Sequence, residues 1–439
     1  MKTVSGFSKM SKEEKINWLS GQVEGEDANK LVQEMRTYWH QDPKVQKRFD
    51  EFSENTLTNY DLPFGIAPNF LINGKIYSVP MVIEESSVVA AASLSAKFWL
   101  ERGGFQTKVL ATTKVGQVHF KWLGPKNKLE DYFRENKENF LRALSPITEN
   151  MEKRGGGIVG LTLVDMTDKI ENYYQLKLEA ETCNAMGANF INSLLEELAK
   201  NFKGAVAKDT RFEGEEKNVQ IIMCILSNYT PDCVVDCFVE CPIEDLGTFA
   251  EGMTAREFAE KFATGVRIAE IDSNRAVTHN KGIMNGIDAV VMATGNDYRA
   301  VEACAHAYAS RDGQYRSLST VSLADDKFRF SIKIPLAVGT VGGLTSLHPL
   351  AKTSLAILGN PTAPELMQVM AAVGLAQNFA AVKSLVTTGI QKGHMKLHLL
   401  NIFNSLNATQ EEIEKGKEFF ADKVVSFTGV RDFLTSIRA

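Results

Sequence analysis

Residues 281–297 read KGIMNGIDAVVMATGND: a lysine, an amphipathic run, then Gly-Asn-Asp. Ile283, Met284, Ile287, Val290, Val291 and Thr294 recur at helical spacing, and Gly295 is placed to cap the end. A straight helix rises about 1.5 Å per residue, so Lys281 and Asp297 stand roughly 24 Å apart. One chain therefore cannot bring both into one small site. Either the helix breaks near Gly286, or two subunits meet and each site takes residues from both. The plain alternative is two solvated charges at helix ends, although a lysine at a helix start opposes the macrodipole and calls for another reason to be there.

Outward from this stretch the chain alternates helical and extended patterns. Ser11-Lys-Glu-Glu14 before an apolar-periodic run is a capping box, which predicts helices to about residue 50. Asn73-Gly74 between two short extended runs predicts a hairpin, and the Ala- and Ser-rich stretch EESSVVAAASLSAKFWLERGG predicts a closely packed helix ending at Gly103-Gly104. Over 112–222 strands and helices interleave. In YYQLKLEAETC the residues Leu176, Leu178, Ala180 and Thr182 alternate with polar ones, and Ile191, Leu194, Leu195, Leu198 and Phe202 share one face of the following helix. This predicts an α+β chain with a small α+β domain inserted into a larger one: 1–111 and 223–380 form the large domain, 112–222 the insert, and the charged, helical 381–439 a small appendage.

Composition narrows the function classes. The chain has 439 residues and a net charge of −5, which excludes a general electrostatic partner such as nucleic acid or an anionic membrane. No segment approaches eighteen uninterrupted apolar residues and the start lacks a signal-peptide core, so the expectation is a soluble, cytoplasmic protein. The evenly spaced Cys233, Cys237 and Cys241 lie on a predicted strand at intervals of roughly 13 Å, too far apart to share a metal. They read as buried structural thiols, and no metal site is expected.

Several motifs carry possible chemistry. Gly155-Gly-Gly157-Ile-Val-Gly160 matches G-x-G-x-x-G but follows a predicted helix and precedes a strand, the reverse of what a dinucleotide fingerprint needs. Asn184-Ala185-Met186-Gly187-Ala188-Asn189 sits better, where a strand hands over to a helix whose free N–H groups can hold a phosphate. A second glycine turn, Gly339-Thr-Val-Gly342-Gly343, either approaches a cofactor or bends the chain. Glu84-Glu85 at the start of the small-residue helix is either a dipole-stabilising pair or the source of one inward-facing acid. His394 stands beside Gly393 at a predicted hinge.

Together the stretches PMVIEESSVVAAAS (80–93), NAMGAN (184–189), ILSN (225–228), RAVTHNKGIMNGIDAVVMATGNDYRAVEACAHAYASRDGQYRS (275–317), VGLAQN (373–378) and GIQKGHMKLH (389–398) resemble 3-hydroxy-3-methylglutaryl-CoA reductase in its soluble, bacterial class II form. The resemblance implies a large helix-rich domain around a central helix, an inserted ferredoxin-like, non-Rossmann cofactor domain and a C-terminal flap. It implies two hydride transfers from NAD(P)H that convert HMG-CoA through mevaldehyde to mevalonate and CoA, the step that feeds isoprenoid synthesis. Run in reverse the same chemistry oxidises mevalonate, and a CoA-ester-binding homologue without turnover is the reading from another class.

By resemblance Glu85 is the acid at the carbonyl oxygen, Lys281 steadies the oxyanion, Asp297 tunes both and His394 protonates the departing thiolate. Ser87, Asn228, Arg275, Asn285 and Gln377 surround the substrate. Asn184, Ala185, Met186, Gly187, Asn189, Gly339, Gly342 and Gly343 belong to the cofactor. The family's sites form at a homodimer interface, and class II relatives suggest a trimer of dimers. This sequence departs from the pattern at Asn184, where the motif has aspartate, at Ser86, where proline is usual, and at Leu344, where a small residue is usual. Thr148 stands where some NADH-using relatives carry an acid, with Lys153 and Arg154 nearby, which favours NADPH over NADH.

Overall fold

Local capping signals and the burial of apolar stripes account for most elements of the computed structural model, which describes residues 3–23, 27–249, 252–387, 389, 399–421, 423 and 425–438. The chain divides into two units, Met1–Pro63 and Phe64–Ala439. In the first, Ser11 and Glu14 form the capping box that opens α1 (Lys12–Ser20): the Ser11 hydroxyl accepts the Glu14 amide at 3.3 Å, and the Glu14 carboxylate accepts the Ser11 amide at 2.6 Å. Helices α2 (Asp27–Thr37) and α3 (Pro43–Asp50) follow, the latter capped by Asp42 with Pro43 in its first turn.

The second unit starts with the antiparallel hairpin β1 (Phe64–Ile72) and β2 (Lys75–Val82). Its two-residue loop needs positive φ twice, and Asn73 (48°) and Gly74 (82°) supply it. Helix α4 (Val88–Leu100) buries Ala92 and Ala96, small residues that allow close approach, and leads to β3 (Gln106–Val109).

Next come β4 (Lys114–Lys121), α5 (Lys126–Ala143), α6 (Ser145–Glu152), β5 (Gly157–Asp165), β6 (Tyr173–Glu181), α7 (Ala188–Lys208) and β7 (Gln220–Leu226). The four strands make one antiparallel sheet in the order β5-β6-β4-β7. Tyr174, Leu176, Leu178 and Ala180 of β6 alternate inward and meet Ile191, Leu194, Leu195, Leu198 and Phe202 of α7 in a hydrophobic core of their own. The glycines at 155–157 are the turn between α6 and β5, with Gly155 at φ 91° and Gly157 at φ 125°.

The rest of the unit packs around two long helices. Strand β8 (Val234–Pro242) buries Cys233, Cys237 and Cys241 along one side. Helices α8 (Ala255–Ile271), α9 (Ser273–Ala293) and α10 (Tyr298–Ala309) follow, then β9 (Ser319–Ser322) and β10 (Lys327–Pro335), which complete the sheet β3-β8-β10-β9. Short helices α11 (Gly343–Leu347) and α12 (Pro349–Ile357) lead to α13 (Ala363–Val386). Although long and apolar enough to cross a membrane, α13 is buried along most of its length and fills the core. Gly286 of α9 lies against α13, where an added Cβ would sit 2.9 Å from the Val373 carbonyl oxygen; Gly374 of α13 lies against Ile283 and Ile287 of α9. Helices α14 (Gln410–Phe419) and α15 (Phe427–Arg438) build a small separate core around Phe403, Val430 and Leu434.

Two expectations about the opening stretch are corrected. Helix α9 starts at Ser273, so Lys281 lies eight residues inside it and faces no dipole penalty. The extra turns are capped by the Asp272 carboxylate, which accepts the Asn274 amide at 2.9 Å, and they bury His279 and Asn280, polar residues that hide the apolar period. Nor does the helix break at Gly286; the missing side chain serves the crossing with α13.

Candidate active site

Helices α4, α9 and α13 border a cleft of about 740 Å³. Lys281 projects into it from α9 and Glu85 from the loop before α4, with 2.8 Å between Nζ and Oε2. Asn285, one turn further along α9, donates to the same oxygen at 3.3 Å. The two charged side chains are 60% and 38% exposed, so the pair adds little to stability and its position needs a functional reason. Arg275, Ser87 and Gln377 line the same cleft. Ser87 precedes α4 at φ 78°, a left-handed conformation that a non-glycine residue adopts at a cost of about 1–2 kcal/mol, and its side chain does not cap the helix. The Gln377 Oε1 atom is buried without a hydrogen-bond partner among the described residues.

Three cleft residues lay outside the sequence-based expectations. His279, 1% exposed, places Nε2 2.6 Å from the Ser319 hydroxyl, which donates to Asn378 Oδ1 at 2.7 Å. Because that hydroxyl spends its proton on Asn378, His279 must donate through Nε2, and its Nδ1 is left as a buried acceptor without a partner among the described residues. Burial and the nearby Arg275 charge push the imidazole pKa down to about 3, so it stays neutral. Lys383 of α13 sits 5.0 Å from the Phe98 ring and 5.5 Å from Phe249, and burial lowers its pKa. His279 and Asn378 lie inside stretches that carry the resemblance but were assigned no role there, and Lys383 lies outside those stretches.

A second group forms at the far end of α9. Gly295 (φ 69°) ends the helix in a Schellman motif, with the Asn296 amide on the Val291 carbonyl at 2.9 Å and the Gly295 amide on Met292 at 3.1 Å. Asp297 then caps α10, accepting the Arg299 and Ala300 amides at 3.0 and 3.3 Å and an ion pair from the Arg299 guanidinium at 2.9 Å. Burial raises the Asp297 carboxyl, but the hydrogen bonds from Arg299 and Ala300 and the Arg299 charge outweigh it and hold the pKa below its ordinary value.

Asn296 accepts the Gly339 amide at 2.8 Å, and Gly339 comes so near the Asn184–Gly187 loop that a Cβ there would lie 2.5 Å from the Met186 nitrogen. Ala185 and Val341 form a parallel bridge. Gly187 ends the loop at φ 92°, against Thr182, with the amides of α7 beyond it and Asn189 exposed in the first turn. Gly342 (φ 82°) and Gly343 (φ 54°) enter α11. Asn228, Met186 and Ala300 line a small neighbouring pocket.

The structure therefore brings Glu85, Lys281 and Asn285 together with Ser87, Arg275 and Gln377, and separately gathers Asp297, Asn228 and both glycine turns. Within one chain it does not join Asp297 to Lys281; the unbroken α9 holds them apart. His394 lies outside the described residues. Thr148 is 2% exposed, so it offers no surface to a ligand, whereas Lys153 and Arg154 are exposed.

Against known proteins, the model of the family described as hydroxymethylglutaryl-coenzyme A reductase matches residues 13–399. The chain belongs to that family. This reductase is 36% identical over 442 residues to the 3-hydroxy-3-methylglutaryl-coenzyme A reductase of Archaeoglobus fulgidus, covering 99% of this chain and 95% of that protein. It is 34% identical to a probable member from Borreliella burgdorferi, over 84% and 82% of the two chains. Its fold is similar to that of the class II enzyme from Streptococcus pneumoniae, solved bound to NADPH in open conformations, with a TM-score of 0.72, 36% identity, and coverage of 88% of this chain and 100% of that one. The activity of the chain is reduction of HMG-CoA in the mevalonate pathway.

The residues present fit a nicotinamide dinucleotide. The Gly187 cradle before α7 leaves the first amides of a 21-residue helix without intrahelical partners, a setting that receives phosphate, and Gly339 keeps the neighbouring backbone close. Among the described residues no group of three or more His, Cys, Asp or Glu side chains could hold a metal ion.

Proposed function

We propose that the chain converts HMG-CoA, two NADPH and two protons to mevalonate, CoA and two NADP⁺ at a site built from both halves described above. The observation that carries this reading is the Lys281–Glu85–Asn285 cluster open to the cleft. A thioester carbonyl polarised for hydride attack develops negative charge on oxygen, and the Lys281 ammonium is placed to stabilise it. Glu85, within hydrogen-bond reach of that ammonium, supplies the proton that the oxygen takes up. Arg275 and Ser87 hold the substrate carboxylate at the cleft wall, and Asn285 fixes the Glu85 carboxyl. The bound cofactor supplies hydride twice, first to the thioester and then to mevaldehyde. Between the two steps CoA leaves as a thiolate, and His394 is assigned the proton it needs.

Three further assignments belong to this reading. The sheet β5-β6-β4-β7 with α5–α7, built in the strand–helix–strand–strand–helix–strand order of a ferredoxin-like domain, is the cofactor domain of residues 112–222. The flap that carries His394 is assigned to the residues after Val386, where α13 ends, and not to 381–386, which stay in the helix that fills the core. The working unit is a homodimer in which Asp297 of one subunit faces Lys281 of the other. A straight α9 supports this, as do exposed Val341, Leu344, Leu347 and Leu350 beside the Asp297 half, apolar surface of the kind an interface covers. NADPH is favoured by the exposed Lys153 and Arg154 next to the glycines at 155–157.

The decisive assay follows oxidation of NADPH and of NADH, in parallel, by purified protein with HMG-CoA. Two cofactors consumed per CoA released, faster with NADPH, is the expected result. Absence of turnover with either in folded protein would refute the reading and leave a CoA-ester-binding role.

A further inference from the structure

Asn184 opens the loop before α7, and its surroundings show what the position requires. Its side-chain Oδ1 accepts the amide of Ala363, the first residue of α13, at 2.9 Å. Its main-chain oxygen accepts the amide of Thr340 in the second glycine turn at 2.8 Å. The start of α13 explains the first bond. Thr362 takes the amide of Glu365, Pro364 has none, and the Ala363 amide is the first-turn donor left to find a partner from elsewhere.

We propose that Asn184 is a positioning residue. It brackets the loop before α7, the Gly339–Gly343 turn and the N-terminus of α13 into one rigid edge, and it acts on the cofactor only through that edge. This rests on the reading that the cofactor is held there. The bracket reaches further, because Gly339 is also held by Asn296, the neighbour of Asp297. At its other end α13 lines the substrate cleft with Gln377 and Lys383. What the position needs is an acceptor, which asparagine and aspartate both provide.

The test compares Asn184→Ala, Asn184→Asp and Ala363→Pro. The last removes the donated hydrogen while leaving Asn184 in place, at a helix position that accepts proline. NADPH affinity is read by fluorescence titration, steady-state constants are measured for both substrates, and hydrogen exchange is followed in peptides spanning 338–343 and 361–366. Asn184→Ala and Ala363→Pro are each expected to weaken NADPH binding about tenfold and to raise KM for NADPH by a larger factor than either lowers kcat. Asn184→Ala is expected to speed exchange in both peptides, and Asn184→Asp, which keeps the acceptor, to return exchange and NADPH affinity toward those of the parent. Unchanged NADPH affinity in both Asn184→Ala and Ala363→Pro overturns the proposal. So does an Asn184→Asp loss equal to that of Asn184→Ala, which would mean that the amide group itself touches the ligand. Should the parent protein fail to turn over, the reductase reading falls, while the titration and exchange still decide whether the bracket exists.

Discussion

At the residue scale, the proposed mechanism depends most on Lys281. Both reductive steps build negative charge on an oxygen, so Lys281→Ala is expected to abolish HMG-CoA and mevaldehyde reduction alike, a loss of at least about 10³-fold in kcat for each substrate supplied separately. A variant that still reduced mevaldehyde would remove the lysine from the second step. His279 makes a different prediction. Its folded-state pKa of about 3 lies below the ordinary 6.5, so as pH falls the unfolded chain takes up the proton first. The stabilisation is complete above 6.5 and is lost as pH drops toward 3, amounting to about 2 kcal/mol by pH 5. His279→Gln should therefore show a shallower fall in urea midpoint between pH 7 and pH 5 than the parent. Neither role was visible in residue spacing. Lys281 meets Glu85 across 196 positions, and only the resemblance to a family joined them. His279 looked like a polar interruption because its burial depends on Ser319 and Asn378, far along the chain.

At the element scale, the pairing of α9 with α13 turns on two glycines. Adding a methyl at Gly286 drives it to 2.9 Å from the Val373 oxygen, a backbone atom that cannot turn aside. Gly286→Ala is thus expected to cost about 1–3 kcal/mol by thermal melting. Gly282 on the same helix would meet only the Ala381 Cβ at 3.8 Å, and Gly282→Ala should be neutral or stabilising by up to about 1 kcal/mol. Strand β8 gives a simpler test. Its thiols are buried, and burial pushes those of Cys233 and Cys241 up to about 11. A thiol reagent at pH 8 should label no more than Cys183 and Cys224 in the folded protein and all six cysteines in denaturant. Alternation made β6 and β8 readable from sequence, as capping boxes did for α1. The start of α9 was not, because Asp272 is an ordinary cap whose helix then buries polar side chains. The bond from Asn184 to Ala363 spans 179 positions and leaves no local mark.

At the scale of the whole molecule, the Lys281 and Asp297 groups lie at different points along α9, and the arithmetic of helix rise already implied as much. If each complete site draws Lys281 from one subunit and Asp297 from another, then mixing Lys281→Ala with Asp297→Ala chains, each inactive alone, should restore activity. After subunit exchange at equal amounts, half of the dimers are mixed and each carries one intact site, so about a quarter of parental activity is expected. No recovery in verified mixed dimers would place both residues in one subunit by some other route. The same geometry limits how the gene can vary. One residue inserted between Lys281 and Asp297 would turn everything beyond it by about 100° and shift it by about 1.5 Å, carrying Asp297, Asn296 and the glycine turn they hold out of line with the partner. In the proposed dimer the segment from Lys281 to Asp297 behaves as a ruler, and an insertion or deletion within it is expected to dismantle the shared site.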